Sequence, residues 1–211
     1  MFSYYILNIG QNEFPVAKRG GGMKKLVEPI RNKNDIKRIE NYLKAHNFRD
    51  YVVWVTGLNT ALRVSDIVGL NVGDVLNKTH IDITEKKTGK RKKFPINNKL
   101  KSVLENFVKN RSLDEPLFIG KQGKRLDRSV VYRFINKACA ELNITVNVGT
   151  HTMRKSFGYH HYQQFKDAIL LQKIFNHSSQ RITRTYIGIE QDDIDISYHN
   201  FELYNINMIH K

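Results

Sequence analysis

The segment HIDITEKKTGKRKKFPI, residues 80–96, constrains the fold most, because apolar residues alternate there while elsewhere they recur every three or four positions. Alternation is the strand period, so Ile81 and Ile83 take one face of a first strand and Phe94 and Ile96 one face of a second. The glycine-containing turn between them makes the pair a β-hairpin. Its tip carries the charge: six of the eight residues from Lys86 to Lys93 are basic.

The flanking segments read as helices. NDIKRIENYLKAH puts Ile36, Ile39 and Leu43 on one face behind Asn34 as the predicted cap. YVVWVTGLNTAL is apolar enough for a buried helix with a predicted break near Gly57; RVSDIVGL resumes as a helical turn, which NVGDV leaves. After the hairpin, LKSVLENFVKN spaces Leu100, Val103, Leu104 and Phe107 as a helix face. DRSVVYRFINKACAEL does the same with Val131, Phe134, Ile135, Ala138 and Leu142, opening on Asp127 or Ser129. HTMRKSFGYHHYQQF, KDAILLQKIF and SSQRITRTYI are predicted as three shorter helices. The expected fold class is mainly α with a small antiparallel β-sheet, an α+β arrangement without internal repeats.

Residues 1–33 read as a separate basic segment whose AKRGGGMKK stretch is a flexible linker. Lys-Arg-Gly-Gly ahead of Met23 can be encoded by a purine-rich, ribosome-binding-like sequence. Met23 is therefore the expected start and residues 1–22 upstream translation.

Charge narrows the partner. Thirty-five lysines and arginines face twenty acids, a net charge of +15, so a polyanion, nucleic acid first, is expected, with a generic basic surface as the alternative. The single cysteine, Cys139, excludes an internal disulfide and a cysteine-rich zinc site, and within INKACAEL it reads as a small buried hydrophobe. No run approaches the length of a membrane span, and MFSYYILNIG has neither a basic n-region nor a small-residue cleavage site. A cytoplasmic, nucleoid-associated location is expected.

Three further stretches hold groups that can do chemistry. In THTMRKSF, His151 and Arg154 are three apart and share a helix face, with Thr150 as predicted cap and free backbone N–H groups nearby for a phosphate. His160 and His161 follow, but no carboxylate stands at ligand spacing and adjacent side chains diverge on a helix, so no metal site is expected. In TGLNTALRVSDIVGL, Arg63 lies among Leu58, Leu62, Val64 and Ile67, a costly place for a charge without a partner. Asp66 either pairs with it structurally or orients its fork toward a phosphate. IFNHSSQRITRTYIG sets His177 nine residues ahead of Tyr186, with Arg181 and Arg184 between.

ALRVSD, the lysine of the KTG hairpin, HTMR, FNHSS and TYIG occur in an order and separation that resemble the tyrosine recombinases, also called phage integrases. The resemblance covers about residues 34–190, the whole catalytic domain of such enzymes. It implies that Tyr186 attacks a DNA phosphodiester and becomes joined to the 3′ phosphate. Arg63 and Arg154 would clamp the non-bridging oxygens, His177 would donate a further hydrogen bond, and His151 would act as general base beside Tyr186. Lys87 would protonate the leaving 5′ oxygen, with Lys86 and Lys90 as fallbacks, and Asp66 would hold Arg63 or its helix. Lys86, Lys90, Arg91, Lys92, Lys93, Arg181 and Arg184 would contact DNA. Neither a divalent metal nor ATP is implied, so no cofactor is expected.

Two departures stand out. Members of the family commonly have Leu-Gly before the second histidine, where this chain has Phe175-Asn176, which bears on the placement of His177. Residues 1–33 are also too few for the usual N-terminal DNA-clamping domain, although short fimbrial phase-variation invertases share the compact plan. Weaker DNA grip and dependence on salt or on an accessory DNA-binding protein follow. The family likeness implies double-stranded DNA as partner and a homo-oligomer, dimer or tetramer, on it. The tail, residues 191–211, either folds back or is exchanged between subunits. Two other readings share the motifs: a DNA-binding regulator or accessory relative without strand exchange, and a type IB topoisomerase-like activity.

Overall fold

The computed structural model describes residues 26–84 and 89–201. The predicted linker and Met23, hairpin residues Lys86 and Lys87, and residues 202–211 lie outside the described residues.

The chain opens with α1 (Lys33–His46) and α2 (Phe48–Thr60), a single turn α3 (Val64–Ile67), and the hairpin of β1 (His80–Thr84) and β2 (Arg91–Pro95). Helices α4 (Asn98–Phe107), α5 (Arg128–Glu141), α6 (Thr152–Phe165), α7 (Ala168–Phe175), α8 (Gln180–Ile187) and α9 (Glu190–His199) follow. The hairpin has the expected alternation and is antiparallel, with Ile81 directly opposite Phe94. Both side chains are buried and join the main core. Helix α5 starts at the Asp127 cap, whose carboxylate accepts from Ser129 N at 2.7 Å. Cys139 is buried as expected, and burial pushes its thiol up to about 11, out of reach of nucleophilic use at neutral pH.

Helix α2 is the centre of the domain, packed against α1, α4, α5 and α6. Val52, Val53, Trp54 and Val55 are buried around its whole circumference, as an apolar helix without a polar face requires. The predicted break at Gly57 does not occur: the helix runs through to Thr60. A Cβ at Gly57 would stand 2.6 Å from Met153 Sδ, so the missing side chain is what lets α6 cross close to α2. The cap of α1 is Asn32, not Asn34. Asn32 is extended (φ −76°, ψ 117°) and accepts from Asn34 N at 2.8 Å, whereas Asn34 already lies in the first turn.

A second, smaller core forms where α6, α7 and α8 meet, from Ala61, Tyr162, Leu171, Phe175, Ile187 and Ile189. Gly158 is its hinge of close approach: a Cβ there would lie 2.6 Å from Ile187 Cγ2 and 2.7 Å from Phe175 Cζ. Gly158→Val is expected to lower stability by about 1–3 kcal/mol through overpacking and to displace α7 and α8. Thermal melting beside an activity assay checks this, and a variant that melts with the parent would show that the contact is slack.

Helix α9 is not legible as a helix in the sequence pattern. Its acids hold it to earlier parts of the chain: Asp192 pairs with Arg31 at 2.8 Å, and Asp193 with Arg184 at 2.9 Å and with the Tyr162 hydroxyl at 3.1 Å. Ile194, Ile196 and Tyr198 of this helix remain exposed. Among the described residues no helix is long and apolar enough to cross a membrane.

Candidate active site

The second core presents four of the predicted residues together. Helix α2 ends at Ala61, which takes the left-handed conformation (φ 57°), and the chain turns there into Arg63 at the start of α3. The left-handed turn leaves the Ala61 carbonyl pointing inward to accept from Arg154 Nη1, while Arg154 Nη2 donates to Phe175 O at 2.9 Å. The same guanidinium lies 4.6 Å from the Phe175 ring centroid. Arg154 is only 3% exposed, and it ties the α2–α3 connection, α6 and the end of α7 into one unit. Asp66, three residues beyond Arg63, is buried as well.

His151 stands at the start of α6, and its Nδ1 lies 3.2 Å from the Tyr186 hydroxyl. Thr150 is not the cap that the sequence suggests. A turn at Gly149 delivers the chain into the helix, with Thr152 N donating to Gly149 O at 3.0 Å and Thr152 Oγ1 accepting from Gly149 N at 2.8 Å. That turn leaves the His151 side chain exposed at the helix start and near Tyr186.

Tyr186 sits in the last turn of α8, edge-on to His151, Phe175 and His177. Burial raises its phenol above the ordinary value, while the charges of Arg154 and Arg63 and a hydrogen bond from Arg154 pull it back. In such a setting the phenol is protonated at neutral pH and needs a base to react, which the His151 contact offers.

His177 packs between the rings of Phe175 and Tyr186 at centroid distances of 5.2 and 5.1 Å, and its Nδ1 lies 3.1 Å from Thr183 Oγ1. Burial first, then the charges of Arg154, Arg63 and Lys92, push its pKa down to about 4. The imidazole is therefore neutral at pH 7. Asn176 before it takes the left-handed cap of α7 (φ 56°), a conformation that asparagine enters more readily than most side chains.

The sign of the His177 shift makes a stability prediction. With the native pKa below the unfolded value of about 6.5, the unfolded chain binds the extra proton between pH 6.5 and 4, so this contribution is whole above 6.5 and lost toward 4. The full shift corresponds to roughly 3 kcal/mol, which partial solvent access reduces to about 1–2 kcal/mol. His177→Gln is expected to flatten the pH dependence of unfolding by that amount across this window in chemical denaturation. An unchanged pH slope would contradict it.

The predicted DNA-contact residues divide. Lys92 Nζ donates to Ile174 O at 2.8 Å and Lys173 O at 3.3 Å, capping the end of α7, and Lys90 Nζ reaches Asn176 Oδ1 at 3.4 Å. These two lysines join the hairpin to the turn that carries His177. Arg91 makes two bonds of 2.9 Å to Asp82, with Lys93 3.9 Å from the same carboxylate. Arg184 is turned to Asp193 and Tyr162 on the α9 side, and Arg181 is exposed. His160 bonds to Ile30 O, while His161 packs against Phe157 and Phe165, so the adjacent histidines do diverge.

Two residues at the site escaped sequence reasoning. Thr183 lies on α8 with its hydroxyl 3.1 Å from His177 Nδ1, and because His177 precedes that helix no helical spacing gives a signal for the pair. Lys155 Nζ lies 5.0 Å from the Tyr186 ring centroid, with its pKa lowered by burial against an opposing pull from Glu28. Its position next to Arg154 carried no such signal, because α6 neighbours normally diverge.

The sequence and fold of this chain have counterparts among known proteins. The model of the phage integrase family matches residues 31–192. The chain belongs to the phage integrase family. It is 42% identical over 177 residues to the probable integrase/recombinase YoeC of Bacillus subtilis (strain 168), covering 83% of this chain and 97% of YoeC. The chain also matches tyrosine recombinases XerC, of which it spans about half the length: that of Thermodesulfovibrio yellowstonii is 28% identical over 67% of this chain and 50% of XerC. Among solved structures, the XerA recombinase superposes with a TM-score of 0.68 at 19% identity, over 85% of this chain and 68% of that one. The lambda integrase fragment (residues 75–356) bound to DNA gives 0.63 at 14% identity, over 85% and 65%. The mainly helical fold with its two-stranded sheet is thus that of tyrosine recombinase catalytic domains, and the integrase-family chain is an enzyme of the tyrosine recombinase class.

Proposed function

We propose that this integrase-family chain cuts and rejoins double-stranded DNA at a specific site through a covalent 3′-phosphotyrosyl intermediate. The observation that carries this reading is the 3.2 Å contact between His151 Nδ1 and the Tyr186 hydroxyl, beside the buried Arg154. The Tyr186 oxygen attacks phosphorus, forming the Tyr–O–P bond as the P–O5′ bond breaks. The phenolic proton passes to His151, and the 5′ oxygen takes a proton from a hairpin lysine, Lys87 first, with Lys86 and Lys90 as alternates. Arg63 and Arg154 hold the non-bridging oxygens and the charge that builds on them, with Asp66 supporting Arg63, and His177 adds a hydrogen bond. These cations supply the positive charge that a metal ion would otherwise bring, and the retained phosphoester energy rejoins the strands without ATP.

Lys90, Arg91, Lys93 and Arg181, with Lys86, serve as phosphate contacts. Lys92 and Arg184 act indirectly, through the α7 cap and α9. The enzyme works in the cytoplasm on chromosomal or mobile-element DNA as a dimer or tetramer, helped by an accessory DNA-binding protein. Exposed Ile194, Ile196 and Tyr198 on α9 support exchange of the tail, residues 191–211, with a neighbouring subunit. Covalent trapping tests the reading. Protein is incubated with a pool of nicked duplexes in EDTA, denatured in detergent, and probed for DNA-linked protein. Adduct formation is the expected result; clear DNA binding with no adduct would overturn it.

A further inference from the structure

A neutral imidazole has one proton for two nitrogens, and which nitrogen holds it decides what His177 can do. Thr183 Oγ1 lies 3.1 Å from His177 Nδ1 and 3.2 Å from Ser179 O, one turn back in α8. The hydroxyl has one proton for these two acceptors. Given to Ser179 O, it forces the Thr183 oxygen to accept from an Nδ1–H, and Nε2 is left as a bare lone pair. Given to Nδ1, it leaves the imidazole proton on Nε2. Only the second arrangement can donate to a phosphate oxygen; the first would set two lone pairs against each other.

The surroundings favour the second arrangement when an anion is present. Ser179 O already accepts the Thr183 amide at 3.2 Å, so it is not stranded when the hydroxyl turns away. Thr183 is fully buried, so water does not compete for its hydroxyl. Arg154 from α6, Arg63 from the α2–α3 connection and Lys92 from β2 act on the ring and oppose a doubly protonated imidazolium, while Phe175 and Tyr186 cover its flanks. Nε2 makes no hydrogen bond among the described residues, which leaves it as the nitrogen for a substrate.

We propose that Thr183 is a positioning residue that sets the tautomer of His177, donating its hydroxyl to Nδ1 so that Nε2–H points to the scissile phosphate. The proposal rests on the reading of this site as one that cleaves a phosphodiester. It assigns a role to a buried side chain that never touches DNA, much as outer partners fix the tautomer of metal-bound histidines.

The test uses the full chain with Thr183→Val, which keeps the shape and removes the hydroxyl, and Thr183→Ser, which restores it. The single-turnover rate of adduct formation on a nicked duplex is expected to fall about 10- to 100-fold in the valine variant with duplex affinity unchanged, and to recover to within about threefold in the serine variant. The second readout is nitrogen NMR of ¹⁵N-histidine-labelled parent saturated with the same duplex. There His177 is expected to show protonated Nε2 and unprotonated Nδ1. A valine variant that cuts at the parental rate, or a DNA-bound parent with its proton on Nδ1, overturns the proposal. The NMR measurement decides the matter even where the valine variant fails to fold. A parent that forms no adduct at all would instead sink the functional reading, so the two failures are distinct.

Discussion

Tyr186→Phe is expected to abolish the covalent DNA adduct, lowering its rate of formation by roughly 10⁶-fold, the scale seen when a nucleophile is removed from an assembled site. Little else is expected to change. The phenylalanine keeps the ring contacts with Phe175, His151 and His177, and the hydroxyl it lacks is bonded to His151 at the exposed start of α6 and to Arg154, which keeps its bonds to Ala61 O and Phe175 O. Melting temperature and affinity for a nicked duplex should therefore stay close to those of the parent. A detergent-stable adduct in this variant would move the nucleophile to another residue and remove Tyr186 from its role.

The second large effect is at Arg154, where catalysis and stability fall together. Arg154→Met leaves the carbonyls of Ala61 and Phe175 without their donor in a place that water does not reach. Each buried orphan costs about 1–3 kcal/mol, so a loss of roughly 2–6 kcal/mol is expected in denaturant unfolding. The rate of adduct formation should drop a further 10²- to 10³-fold at temperatures where the variant is folded, the magnitude for removing one donor from a developing oxyanion. Arg154→Lys should restore part of the rate and little of the stability, because a single ammonium cannot span two carbonyls on different elements as the guanidinium fork does. If the lysine variant matched the parent in both, the fork geometry would be irrelevant.

Much of this architecture could be read from the residues. The hairpin announced itself by period, the amphipathic helices by their apolar spacing, and His151, Arg154, His177 and Tyr186 by motifs whose side chains the fold gathers around Phe175 and the second core. What stayed hidden depends on partners far away in the chain. Gly57 looked like a helix break because glycine is a poor helix former, and only Met153 crossing nearly a hundred positions later explains its tolerance. The tail EQDDIDISYH lacks helical periodicity, and its helix is held by Arg31, Arg184 and Tyr162, which local pattern cannot reveal. Thr183 has no reactivity of its own to attract notice. Lys92 looked like one more basic residue of the hairpin tip until its bonds to the α7 carbonyls were in view.

The two cores differ in what they carry. Among the described residues, the large one around α2 gathers thirty-one buried residues between Ile30 and Met153, whereas six buried residues hold α6, α7 and α8 together beneath Tyr186 and His177. Opening the small cluster would separate the nucleophile from its base while α2 and its neighbours stayed packed, since local units of a domain open at free energies below that of the whole. A substitution at Leu171 or Ile189 would then present in an assay as a dead enzyme with a healthy fold, although it had altered no atom that meets the DNA.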